Sequence, residues 1–213
     1  FEIGVEEIPA GVVLPALEQL REYLAMALDR ARLDHGEVRV LGTPRRLAAL
    51  IADVAVLQAD AVTEHKGPPA QQAFDRKGNP TQAAFGFARA RGVSIEDLEL
   101  RETEKGAFVF ASVVEKGRPA IEVLGPILSQ AVTELTFPKT MRWGEGDFRF
   151  CRPLRWLVAL LGEQIIPVEV DGTVSGAITR GHRVFGSDEV RLSTPADYLP
   201  LLRENYVIAD HQE

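Results

Sequence analysis

Arginines interleaved with large aromatic rings form the most chemically suggestive stretch of this 213-residue chain. Between positions 138 and 156 stand Lys139, Arg142, Arg149, Arg152 and Arg155, with Trp143, Phe148, Phe150 and Trp156 among them and Glu145 and Asp147 opposing. Cations in such a setting meet phosphate oxygens, while the flat rings accept nucleobases or fill a groove in another protein. Smaller basic groups stand at Arg45-Arg46, just after Thr43-Pro44, and at Arg180-Gly181-His182-Arg183. Arginine outnumbers lysine 19 to 5, which favours bidentate contacts to phosphate or carboxylate. Composition alone leaves three readings open for the stretch: a sheet half in the core, a nucleic-acid face, or a protein interface.

Other reactive residue types lead less far. Cys151 lies between Phe150 and Arg152 and is an activated thiol only if the arginine faces it. Alternation along a strand sends neighbours to opposite faces, so an inert cysteine is expected. Glu6-Glu7 beside Pro9 suits a magnesium ion, but acidic residues at a helix start are also what the helix dipole favours, and that is the expectation here. Lys66-Gly67-Pro68-Pro69 lacks the spacing of a phosphate loop, and the chain has no G-x-S-x-G, H-E-x-x-H or paired C-x-x-C. A single cysteine excludes a disulfide framework, and His35, His65, His182 and His211 are too scattered to suggest a metal centre. No catalytic or metal-ligating residue is therefore expected, and a hydrolase using His182 is the weakest candidate function.

These residues need a scaffold, and the patterning supplies one. Phe1 to Val5 reads as a strand, followed by a helix from Pro9 with Leu14, Leu17, Leu20, Leu24 and Leu28 on one stripe, ended by Gly36. Pro15 inside it implies a later start or a kink. Glu37 to Leu41 and Leu47 to Val56 read as strands around a basic turn. Asn79-Pro80 is expected to cap a helix closed by Gly92. Leu98 to Thr103 and Ala107 to Val114 form a hairpin, and a helix follows from about Pro119 to Leu135. Apolar runs at 154 to 161 and 164 to 170 read as strands, and Thr194-Pro195 opens a last helix.

The expected class is α+β, a mostly antiparallel sheet with packed helices in two lobes. Residues 1–66 and 138–193 form one lobe built from both ends, 67–137 an inserted small α+β lobe, and 194–213 the start of a further helical region. Hydrophobic content of 46% supports a core, and 26% charged residues exclude a long apolar span. A soluble, cytosolic protein is expected. The start at Phe1 and the end at Glu213 suggest a fragment. The net charge of −7 argues against nucleic acid only as an average, because the 138 to 156 stretch is +3 and the remainder −10.

Six segments together resemble one family: Glu2 to Ala10, Thr43-Pro44-Arg45-Arg46-Leu47-Ala48, Lys66-Gly67-Pro68-Pro69, Phe137 to Trp143, Arg152 to Leu161 and Thr179-Arg180-Gly181-His182-Arg183. Their order and spacing resemble the N-terminal part of the beta subunit of the two-subunit bacterial glycyl-tRNA synthetase. The resemblance implies a non-catalytic part that binds tRNA(Gly) and assembles with an alpha subunit in an alpha2beta2 enzyme. In that family the alpha subunit, of class II type, holds ATP and magnesium and forms the glycyl-adenylate. No cofactor is implied for this fragment, nor activity by itself, and no membrane association. Arg45, Arg46, Lys66, Lys139 and Arg142 lie within the resembling motifs, as do Arg152, Arg155, Arg180, His182 and Arg183. They are the expected tRNA contacts. The alternative is a scaffold that docks the alpha subunit without touching tRNA.

Overall fold

A computed structural model describes residues 1–144 and 146–210. Glu145 and His211, named above, lie outside the described residues, as do 212 and 213. In chain order the elements are β1 (Glu2–Val5), α1 (Ala10–Arg30), β2 (Val38–Thr43), β3 (Arg46–Ile51), β4 (Ala61–Pro69), α2 (Ala70–Ala73) and α3 (Gln82–Arg91). The hairpin β5 (Leu98–Thr103) and β6 (Gly106–Glu115) follows, then α4 (Ala120–Thr133) and the short pair β7 (Met141–Arg142) and β8 (Arg149–Phe150). The last part holds β9 (Leu154–Val158), β10 (Leu160–Leu161), β11 (Gln164–Ile165), β12 (Glu169–Val170), β13 (Thr173–Gly176), β14 (Ile178–Thr179), β15 (Val190–Arg191) and α5 (Tyr198–Glu204). The class is α+β, and the sheets are antiparallel except where β13 runs parallel to β9. No helix among the described residues is long and apolar enough to cross a membrane.

The chain divides into two compact units, 1–58 with 118–213, and 59–117. These boundaries differ from the expected 67 and 137. β4 belongs with the second unit because it zips onto β6 from Ala61 opposite Glu115 to Pro69 opposite Phe108. α4 belongs with the first, because Val123, Leu124, Leu128 and Ala131 share one core with Leu17, Leu20, Leu24 and Leu28 of α1. α5 does not begin a separate region either: Tyr198 and Leu202 pack with Leu41, Ala48, Trp156 and Val158.

In the first unit the strand order is β12-β13-β9-β1-β3-β2. β1 is central, and all four of its residues are buried, as a strand covered on both faces must be. Ile3 and Val5 join the core made with α1 and α4. Glu2 and Gly4 point the other way, opposite Ala48 and Arg46 of β3 and Val158 and Trp156 of β9. The stripe of α1 forms through Leu17, Leu20, Leu24 and Leu28, but the expected Leu14 is 57% exposed beside Pro15, because Val13 and Ala16 take the core positions of the early turns. The helix ends at Ala31, with Arg32 at φ 54° beyond it, and does not run on to Gly36.

The second unit is the antiparallel sheet β4-β6-β5 with α3 packed through Ala73, Ala84 and Val109. Thr81, and not Asn79, caps α3, its hydroxyl accepting from the Ala83 amide at 3.3 Å. Asn79 is engaged in a tighter local turn, in which Asp75 Oδ1 accepts from the amides of Lys77 and Asn79, both at 2.8 Å. Such side-chain to backbone bonds compete with capping for the same residue. Gly92 closes α3 at φ 66°, as expected.

Candidate nucleic-acid interface

Trp156 organises the site from below. Its indole lies against β1, where a Cβ on Gly4 would sit 2.0 Å from the ring, so only glycine lets the two strands carry this stack. Trp156 Nε1 donates to Glu2 Oε1 at 3.0 Å, and Thr179 Oγ1 donates to the same oxygen at 3.0 Å. Arg46 completes the network: its Nη1 lies 3.5 Å from Glu2 Oε1, and its Nη2 donates to the Arg180 carbonyl at 2.6 Å. Arg46 is 1% exposed. This corrects the expectation that it meets a phosphate, for its Nη1 and Nη2 are engaged inside the fold with a carboxylate, a hydroxyl and a carbonyl.

Around the indole the cations crowd together. The guanidinium carbons of Arg45, Arg46 and Arg180 lie 5.9, 5.8 and 4.9 Å from the Trp156 ring centroid, within cation–π range. Burial and then the charge of Arg183 hold the Arg45 guanidinium below its ordinary value, Glu6 opposes this, and Arg46 and Arg180 add to it. Arg45 Nε is buried without a hydrogen-bond partner. A partly desolvated cation among like charges is stabilised by an arriving anion.

Two carboxylates temper this field. Glu6 lies 3.1 Å from Arg155 Nε and 3.7 Å from Arg183, and Glu7 lies 3.2 Å from Arg183. Arg152 Nε donates to the Glu7 carbonyl at 2.9 Å. With Glu2, three acids thus face Arg45, Arg46, Arg152, Arg155, Arg180 and Arg183, and positive charge remains in excess. Beside them opens a cavity of about 510 Å³, whose walls include Thr43, Arg45, His182, Arg183 and Tyr206.

The family described as "Glycyl-tRNA synthetase beta subunit" matches residues 1–213. The chain belongs to the glycyl-tRNA synthetase beta subunit family. Among curated relatives, the "Glycine--tRNA ligase beta subunit" of Moorella thermoacetica is 47% identical over 99% of this chain and 30% of its own length. That of Anaeromyxobacter dehalogenans is 50% identical over 100% of this chain and 30% of its own length. That of Myxococcus xanthus is 46% identical over 99% and 30%. The chain thus spans about 30% of the length of these relatives.

In this member of the beta subunit family the motif residues do not all converge. Arg45, Arg180, His182 and Arg183 gather at the cavity or on the indole beside it, and Arg152 and Arg155 join through Glu6 and Glu7. Lys139 and Arg142 are exposed before and on the β7–β8 pair and do not line the cavity. Arg142 lies 3.5 Å from Asp147. Lys66 belongs to the second unit, where its Nζ stands 3.5 Å from the Phe108 ring centroid. Trp156 stacks with arginines from two other segments and not with the adjacent Arg155, which alternation turns outward.

His182 is a structural knot. Its Nδ1 accepts from the amides of Val184 and Phe185 at 3.2 and 3.3 Å, which leaves the proton on Nε2. Cys151 is half-buried, and burial pushes its thiol up despite Arg152. Among the described residues no group of three or more His, Cys, Asp or Glu is placed to hold a metal ion. Glu2, Thr179, Phe185 and Tyr206 were not among the expected site residues. Glu2 and Thr179 carry no sequence signal as buried polar partners, whereas Phe185, two positions after the basic Gly181-His182-Arg183 run, was a signal available to be read.

Proposed function

We propose that this chain is a non-catalytic tRNA-binding part of glycyl-tRNA synthetase. In this role it supports the ATP-dependent attachment of glycine to tRNA(Gly) by a class II alpha subunit, in a cytoplasmic alpha2beta2 enzyme. ATP and magnesium belong to the alpha subunit in this proposal. The observation that carries it is the arginine excess around Trp156, with Arg45 partly desolvated beside Arg183 and an open cavity. Neutralising backbone phosphates releases counterions, so binding of this kind weakens steeply with salt.

The test uses the full-length subunit and tRNA(Gly) over a salt series. Arg45→Ala with Arg183→Ala lowers affinity and reduces the logarithmic salt slope by about two, roughly one for each lost phosphate contact. Salt-independent binding, or affinity for the alpha subunit with none for tRNA, overturns the proposal in favour of a docking scaffold. Lys139, Arg142, Arg152, Arg155 and Arg180 are proposed as peripheral phosphate contacts, and Lys66 as a contact from the second unit.

A further inference from the structure

The arginine cavity has an apolar rim that phosphate binding does not explain. Phe185 is 69% exposed and Tyr206 67%, and Val184 and Ile208 stand open beside them. The rings form a ladder: His182 and Phe185 stack with centroids 5.0 Å apart and planes 22° apart, and Phe185 meets Tyr206 at 6.1 Å and 59°. Leaving such rings in water forgoes about 2 kcal/mol of burial for each, and neither belongs to the core clusters of the unit.

The loop holding the ladder is rigidly made. The amides of Gly181 and His182 donate to the carbonyls of Ser187 and Asn205 at 2.7 and 2.9 Å, and that of Gly186 to the His182 carbonyl at 2.9 Å. The Ser187 amide donates to Asn205 Oδ1 at 3.0 Å. A Cβ on Gly186 would lie 2.5 Å from both the Asn205 oxygen and the His182 nitrogen, so the turn closes only over glycine. Tyr206 is held at φ 59°, in the left-handed region that bulky residues rarely adopt. Strain of this kind persists where the surrounding structure imposes it, and it gathers at ligand sites. The backbone is thus tied down on both sides of the ladder while the rings stand outward.

We infer that the His182, Phe185 and Tyr206 ladder stacks the base of an unpaired RNA nucleotide whose phosphate is taken by Arg45 and Arg183. The inference rests on the tRNA-binding reading above and names what that site takes. Two near-parallel rings with a third tilted against them, beside guanidinium groups, suit a planar base joined to an anion. A base inside a duplex has both faces covered by its neighbours, so only an unpaired one can use the ladder. The excess of arginine over Glu6 and Glu7 selects the nucleotide over an apolar peptide, which needs no cation beside it.

The experiment uses the full-length subunit and a short single-stranded RNA carrying 2-aminopurine, with an RNA duplex as control. Binding quenches the 2-aminopurine emission, and Phe185→Ala with Tyr206→Ala removes the quench and weakens single-strand affinity about tenfold. Duplex affinity and the salt slope stay as in the parent, and Phe185→Trp keeps the quench. If RNA binds with its salt dependence intact but the ring variants change neither quench nor affinity, the stacking inference falls and the tRNA-binding reading stands. If no RNA binds at all, both fall. If the ring variants abolish subunit assembly and leave RNA binding intact, the ladder is a protein interface and the inference is overturned.

Discussion

Trp156 reaches across the sheet to Glu2, its indole nitrogen donating at 3.0 Å to a carboxylate that also lies 3.5 Å from the buried Arg46. This bond ties the floor of the arginine cluster to the central strand. It also divides neighbouring arginines by role, since Arg46 is consumed in this buried network while Arg45 stays partly exposed. Removing Glu2 leaves Arg46 charged, buried and without its counter-ion. Glu2→Ala is expected to lower unfolding stability by about 3–5 kcal/mol, read from the urea midpoint by tryptophan fluorescence. Glu2→Leu combined with Arg46→Met is expected to lose less than Glu2→Ala alone, because no charge is then stranded. An unchanged midpoint in Glu2→Ala contradicts the structural role.

Glu6 and Glu7 restrain the arginines that face solvent. Replacing both with glutamine frees Arg155 and Arg183 from carboxylates at 3.1 and 3.2 Å. Exposed pairs of this type are each worth only about 0.2–1 kcal/mol, so little stability is lost. Affinity for tRNA(Gly) is expected to rise about threefold at low salt, with the gain fading as salt screens the field. Titrating the Glu6→Gln, Glu7→Gln variant at two ionic strengths checks it, and a weaker complex at low salt counts against the arginine cluster as the contact.

Cys151 tests the electrostatics from the opposite side. Burial raises its thiol above the ordinary value and Arg152 recovers only part of the shift. A raised value means less thiolate at neutral pH, so alkylation by iodoacetamide is expected to run well below the rate of an exposed cysteine near pH 7.5. The rate then climbs further into the alkaline range than it does for a free thiol. Rapid modification at neutral pH would show that Arg152 dominates over burial.

The α1 stripe from Leu17 to Leu28, the β5–β6 hairpin around Glu104-Lys105 and the opening of the last helical segment at Thr194-Pro195 were all legible in the sequence. Each is decided by local periodicity or turn chemistry, which needs no distant partner. The misreadings arose where one local signal met a competitor, either a neighbouring turn or a distant element. Asn79-Pro80 has the form of a cap, yet the Asp75 turn claims Asn79. α4 follows the hairpin in sequence, yet its apolar face matches that of α1, and that match sets the boundary of the units.

The candidate site shows the same division. Residue types in order along the chain determined the family resemblance and the arginine-rich character, since spacing and composition are properties of the string itself. Which arginine is buried and which is offered to a ligand was decided only by the sheet. Pairing Gly4 with both Arg46 and Trp156 brings that cation beside the indole in the buried layer, the turn before β3 leaves Arg45 partly exposed, and alternation turns Arg155 outward. Arg180 and Arg183 arrive there from more than 130 positions beyond Arg45. The charge of a guanidinium is written in its residue type, but whether it is spent within the protein or presented at the surface depends on which strands lie beside it.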